Sequence, residues 1–158
     1  MKHFLTVLFS ILLVLALTIA AAAGLFAWLF SPEDPVLDSL PDYIGKEYYT
    51  CGGFQDYTDY AKYTYQITEA EFAGNPYFQQ VTKDSIPKIL SYLEDFEGWV
   101  SCEDFPAGAY DFDKTLVKEG DYFCIVNKYP EPDREFANYN VYYFSLETQT
   151  LYYFHNNI

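Results

Sequence analysis

Basic side chains, histidine and cysteine are all scarce in this 158-residue chain. Nine Lys and Arg stand against 23 Asp and Glu, a formal net charge of -14. A nucleic-acid binder is excluded as an expectation, because no basic footprint exists to neutralise phosphates. The two histidines are His3 and His155, and the three cysteines are Cys51, Cys102 and Cys124. No Cys-x-x-Cys pair occurs, so neither a redox motif nor a zinc site is indicated. Gly-x-Gly-x-x-Gly, a Walker loop and Gly-x-Ser-x-Gly are missing too. No catalytic constellation is recognisable, the chain does not read as an enzyme, and no cofactor is expected.

Apolar mass is plentiful. The chain is 51% hydrophobic and 21% aromatic, far from the composition of an acidic disordered tail. Phe4 to Phe30 is a run of 27 residues without a charge. As a helix it would extend ~40 Å against a hydrocarbon core of ~30 Å. Trp28, between Phe26 and Phe30, sits where an aromatic belt would lie. Residues 1–30 are therefore expected to be a transmembrane anchor, with residues 4–30 in the membrane. Lys2 precedes the run and Glu33, Asp34, Asp38 and Asp42 follow it. The positive-inside rule then places the N-terminus in the cytoplasm and the rest outside. The alternative is secretion after signal cleavage near Ala23, in the Ala21-Ala22-Ala23 stretch.

Residues 31–42 contain Pro32, Pro35 and Pro41 among acids and read as an extended tether. Residues 43–158 form the expected extracytoplasmic domain. With Lys2 set aside, residues 31–158 hold all the acids and all 17 Tyr.

Within the domain, Lys46–Cys51 reads as a strand broken by Gly52-Gly53. A second strand starts near Thr58, with a possible bulge where Tyr57, Tyr60 and Tyr63 slip from alternation. Thr68 to Glu71 has capping-box spacing, and Gly74 and Pro76 end that turn. The clearest helix runs from about Ser85 to Glu97, with Asp84 as N-cap, Pro87 in the first turn and Gly98 as stop. Its stripe is Ile86, Ile89, Leu90, Leu93 and Phe96. Ala109–Phe112 suggests a short strand. Asp121–Tyr129 suggests a central one, since Tyr122–Val126 is apolar on both faces. Asn140–Leu146 and Thr150–His155 form a hairpin. The expected fold class is α+β: an N-terminal transmembrane helix, then a small antiparallel sheet packed with one principal helix.

The stretches Tyr139–Phe144 and Leu151–Asn157, with Gly53–Tyr60 and Tyr110–Lys114, resemble parts of small membrane-anchored proteins of gut Firmicutes. That likeness implies location and architecture, and no chemistry.

Two candidate sites follow. Asp56, Tyr57, Asp59, Tyr60 and Tyr63 are the densest mixture of carboxylates and tyrosines. Tyrosine offers a large apolar body with a polar tip, and aromatic faces beside carboxylates receive cationic groups. The bland reading is that these tyrosines simply build the core and rim of a sheet. Asp111 and Asp113 have Asp-x-Asp spacing, which on a strand would aim both carboxylates at one cation. As an EF-hand loop the segment fails, with Leu116 where Gly is needed and Tyr122 where Glu is needed. His155 reads as a strand residue rather than a catalytic base. A Cys51–Cys102 bridge and no bridge at all are equally open.

The leading functional expectation is a membrane-anchored extracytoplasmic binding or interaction module favouring cationic or neutral partners, such as a protein or a cationic peptide. The alternative is a metal-dependent or carboxylate-based envelope enzyme or accessory factor using Asp111 and Asp113. Self-association is a third possibility.

Overall fold

The computed structural model describes residues 12–21, 34–53, 56–101, 105–129 and 131–158. The chain divides into two compact units, Met1–Asp38 and Ser39–Ile158.

In the first unit, residues 12–21 are helical. Among the described residues no helix is long and apolar enough to cross a membrane. The expected transmembrane helix is thereby overturned, and the membrane-anchored fold class with it. The rest of the 4–30 run, including Trp28 and the cleavage position at Ala23, lies outside the described residues. Further on, Asp34 Oδ1 accepts the amides of Val36 and Leu37, both at 3.1 Å. This turns Leu37–Ser39 into a short 3-10 helix where an extended tether was expected.

The second unit is built on a six-stranded antiparallel sheet. Its strands are β1 (Gly45–Gly52), β2 (Tyr57–Thr64), β3 (Gln79–Gln80), β4 (Tyr122–Asn127), β5 (Asn138–Ser145) and β6 (Thr150–Asn157). They lie in the order β1-β2-β6-β5-β4-β3. Two α-helices accompany them, α1 (Glu69–Ala73) and α2 (Ile86–Val100), with a 3-10 turn at Lys114–Leu116.

Because side chains alternate along a strand, partners in register share a face. One face carries Tyr60, Phe154, Val141, Tyr139, Tyr143 and Phe123. These pack with Ile89, Leu93 and Phe96 of α2 into the main core. At one end of the other face, Phe72 of α1 stacks on Tyr122 and packs tilted against Phe144, with ring centroids 4.8 and 4.4 Å away. This second aromatic cluster explains why β4 reads as apolar on both faces. Yet β4 lies next to the two-residue β3 near the sheet edge, and β6 and β5 hold the centre.

Other local expectations shift as well. Strand β2 pairs residue for residue with β1 and β6 from Tyr57 to Thr64, without a bulge. Ser85, not Asp84, is the N-cap of α2, and the helix continues through Gly98 to Val100. A Cβ at Gly98 would meet nothing. Residues 109–112 are not a strand. Glycine is required at Gly52, where φ is +111° and a Cβ would lie 2.3 Å from the Asp56 carbonyl oxygen. That close approach, with Gly53 N–H donating to the Asp56 carbonyl at 2.8 Å, sets where β2 begins.

Candidate functional site

Many of the acids answer the needs of buried tyrosines. A buried phenol must find an acceptor, since a lost hydrogen bond costs about 1–3 kcal/mol. Tyr60 donates to Asp111 at 2.8 Å, Tyr139 to Asp95 at 2.8 Å and Tyr92 to Glu135 at 3.0 Å. Tyr143 donates to Asp121, and Tyr110 to Glu97 at 3.3 Å. Burial first, and then these carboxylates, push the phenols of Tyr60, Tyr110, Tyr139 and Tyr143 far above their ordinary range.

The proposed metal pair is drawn into the same economy. Asp111 accepts from the Tyr60 hydroxyl and pairs with Lys62 at 2.8 Å. Burial pulls its carboxyl upward, but Lys62 and Tyr60 outweigh that and hold it below the usual range. Asp113 caps the 3-10 turn by accepting the Thr115 amide at 2.8 Å, which lowers its carboxyl. Phe112 between them is buried in the core. Among the described residues no group of three or more His, Cys, Asp and Glu is placed to hold a metal ion.

The tyrosine-carboxylate mixture of β2 is divided by the pleat. Tyr60 points under α2 and is fully buried. Tyr57, Asp59 and Tyr63 share the opposite face. Tyr63 is buried there, with the Tyr43 ring 5.2 Å away and Lys46 Nζ 5.2 Å from its ring centroid. Asp56 is exposed ahead of the strand.

Asp59 occupies a row that crosses the sheet as Thr50, Asp59, His155, Asn140 and Val126. The ends of this row, Thr50 and Val126, are exposed, as are neighbouring Tyr48 and Tyr57, while His155 in the middle is buried. Within it Asp59 itself is only 6% exposed. The Tyr48 phenol interacts electrostatically with its carboxylate, whose Oδ1 has no hydrogen-bond partner. Burial first, then Asp59, holds the Tyr48 phenol well above its ordinary range. Next to Asp59, the His155 ring lies 4.9 Å from Tyr57 and stacks at 6.3 Å on Tyr153. His155 Nδ1 is 3.1 Å from the Tyr139 carbonyl oxygen and also meets Asn140 Oδ1. A carbonyl only accepts, so Nδ1 carries a proton and donates there.

Sequence reasoning grouped Asp59 with Tyr57 but missed Tyr48, His155 and Asn140. Strand alternation alone could have placed them on one face once the pairing was known. Cys51 and Cys124 are both buried, and Cys102 lies outside the described residues.

No protein-family model, curated protein or solved structure matches the chain. The functional reading therefore rests on charge and geometry alone.

Proposed function

We propose that residues 39–158 form an acidic, tyrosine-rich binding module that favours cationic partners. The observation that carries this reading is the fate of the cations. Lys62 is held between Glu47 and Asp111, at 2.9 and 2.8 Å. Lys114 pairs with Glu97 at 2.8 Å, Lys118 pairs with Glu147, and Lys83 lies 3.9 Å from Glu119. Lys46 Nζ sits 5.2 Å from both the Tyr48 and Tyr63 ring centroids. Arg134 lies 4.1 Å over Tyr129, with Lys128 at 6.0 Å. Seven of the nine Lys and Arg are thus engaged by the domain's own acids and tyrosines. The 23 acids exceed what these pairs neutralise, and the surplus field attracts positive charge.

We place the module outside the cytoplasm. The support is the uncharged run from Phe4 to Phe30, with Lys2 before it and acids after it, a pattern suited to directing a chain across a membrane. Two experiments test the proposal. At low salt the full chain is expected to bind a lysine- and arginine-rich peptide and to ignore a glutamate-rich one, the preference fading as salt is added. Equal binding of both peptides removes the charge argument. A reporter fused to the C-terminus that is active only outside the cytoplasm tests the location, and a silent reporter refutes it.

A further inference from the structure

Buried polar groups are nearly always satisfied, and each exception calls for an explanation. Among the described residues, Asp59 is a carboxylate with a buried oxygen that nothing engages. The other buried acid among the described residues shows what satisfaction looks like here. Asp121, 1% exposed, accepts from both the Tyr143 hydroxyl and the Leu146 amide. No described Lys, Arg or His comes within ion-pair distance of Asp59.

We infer that Asp59 is the seat for one ammonium or guanidinium group of a basic peptide, walled by Tyr48, Tyr57 and His155. This deepens the binding reading above and rests on it. The chemistry of each wall fits a cation. A charged donor to a carboxylate makes the stronger class of hydrogen bond, and Oδ1 offers an unused acceptor. Tyr48, 47% exposed, already holds Lys46 5.2 Å from its ring centroid, and Tyr57, 36% exposed, offers its ring for a further cation–π contact. His155 commits its Nδ1 to Tyr139 and Asn140, so that nitrogen does not compete for the carboxylate.

The sheet already uses this recognition internally. On the same face, Lys46 is held by Tyr48 and Tyr63. The Asp59 position has the aromatic walls and adds the carboxylate, but no cation of the described chain reaches it. A metal ion fits less well, since no third His, Cys, Asp or Glu ligand converges there. The domain's negative charge draws a basic segment toward this face.

The test titrates the full chain with tetra-arginine at low salt by calorimetry, with tetra-glutamate as control. Wild type binds tetra-arginine. Asp59→Asn is expected to weaken binding about tenfold or more, because it leaves the peptide's cation unpaired at a covered site. Asp56→Asn removes the same charge from an exposed neighbouring position and is expected to change affinity less than about twofold, as rim charges do. Tyr57→Leu, at an exposed ring, is expected to weaken binding several-fold and guards against misfolding of the Asp59 variant. Equal weakening by Asp56→Asn and Asp59→Asn overturns the seat while leaving the acidic-module reading standing. No binding by wild type overturns both. Light scattering without peptide supplies the last arm. A dimer abolished by Asp59→Asn assigns the seat to a second copy and overturns the peptide reading.

Discussion

Asp59→Leu is expected to stabilise the protein. Leucine matches aspartate in side-chain heavy atoms and carries no polar group. The substitution removes a carboxylate oxygen that is buried and without a hydrogen-bond partner. Leaving such a group unmade costs about 1–3 kcal/mol, and removing it restores that amount. Replacing buried charge by hydrophobes of similar volume is often neutral or stabilising by about 1–4 kcal/mol. Against this stands the lost interaction with the Tyr48 phenol, at most about 1 kcal/mol. Tyr48 is 47% exposed, so water replaces much of it. The net gain is about 1–2 kcal/mol. For a chain of this size that amounts to a rise in Tm of roughly 2–8 °C. Urea melts followed by far-UV circular dichroism measure it, with the slope unchanged so that the midpoint alone reports stability. A loss of about 1 kcal/mol or more would show that Oδ1 is satisfied in the fold, and the argument for a vacant cation seat would collapse.

Other expectations concern the frame that holds this face. Phe154→Ala removes a fully buried ring that meets Tyr60, Phe96 and Phe112 within 5.5 Å, and is expected to cost about 3–5 kcal/mol in the same melts. Asp121→Ala strips acceptors from the Tyr143 hydroxyl and the Leu146 amide and is expected to cost about 2–5 kcal/mol, with Asp121→Asn recovering part of it; equal losses would refute the acceptor role. Alkaline titration of tyrosinate absorbance is expected in two phases, the exposed phenols near pH ~10 and those of Tyr60, Tyr110, Tyr139 and Tyr143 only with unfolding. The sign follows from their raised folded values: the stability they contribute is fully present below ~10 and lost as pH rises through those values. A single phase with the fold intact would refute this.

Sequence patterning reached some of this architecture and failed elsewhere for identifiable reasons. The β5–β6 hairpin and the Ile89, Leu93 and Phe96 stripe were legible because their periods of two and 3.6 are unbroken. Strand β3 was not, since Gln79 and Gln80 carry no apolar signal and pair only with Phe123 and Tyr122. The apolar run of β4 read as central because Phe72 covers its second face from outside the sheet. The 27-residue uncharged run suggested a membrane span, but composition fixes no helix length, and among the described residues no helix is long and apolar enough to cross a membrane. At the candidate site, spacing of three among Tyr57, Tyr60 and Tyr63 hid the division that matters. Alternation sends Tyr60 to Asp111 under α2 and leaves Tyr57 on the opposite face with Asp59. Tyr48, Asp59 and His155 come from three different strands, and only pairing brings them together.

Chemical-shift mapping of the full chain with tetra-arginine tests the central claim most directly. The account predicts saturable shifts in the amides and rings of Tyr48, Tyr57, Asp59 and His155, with Tyr60 and Asp111 on the opposite face unmoved. Shifts spread over exposed acids such as Asp56, Glu71 and Glu131, with the Asp59 row unchanged, would contradict it.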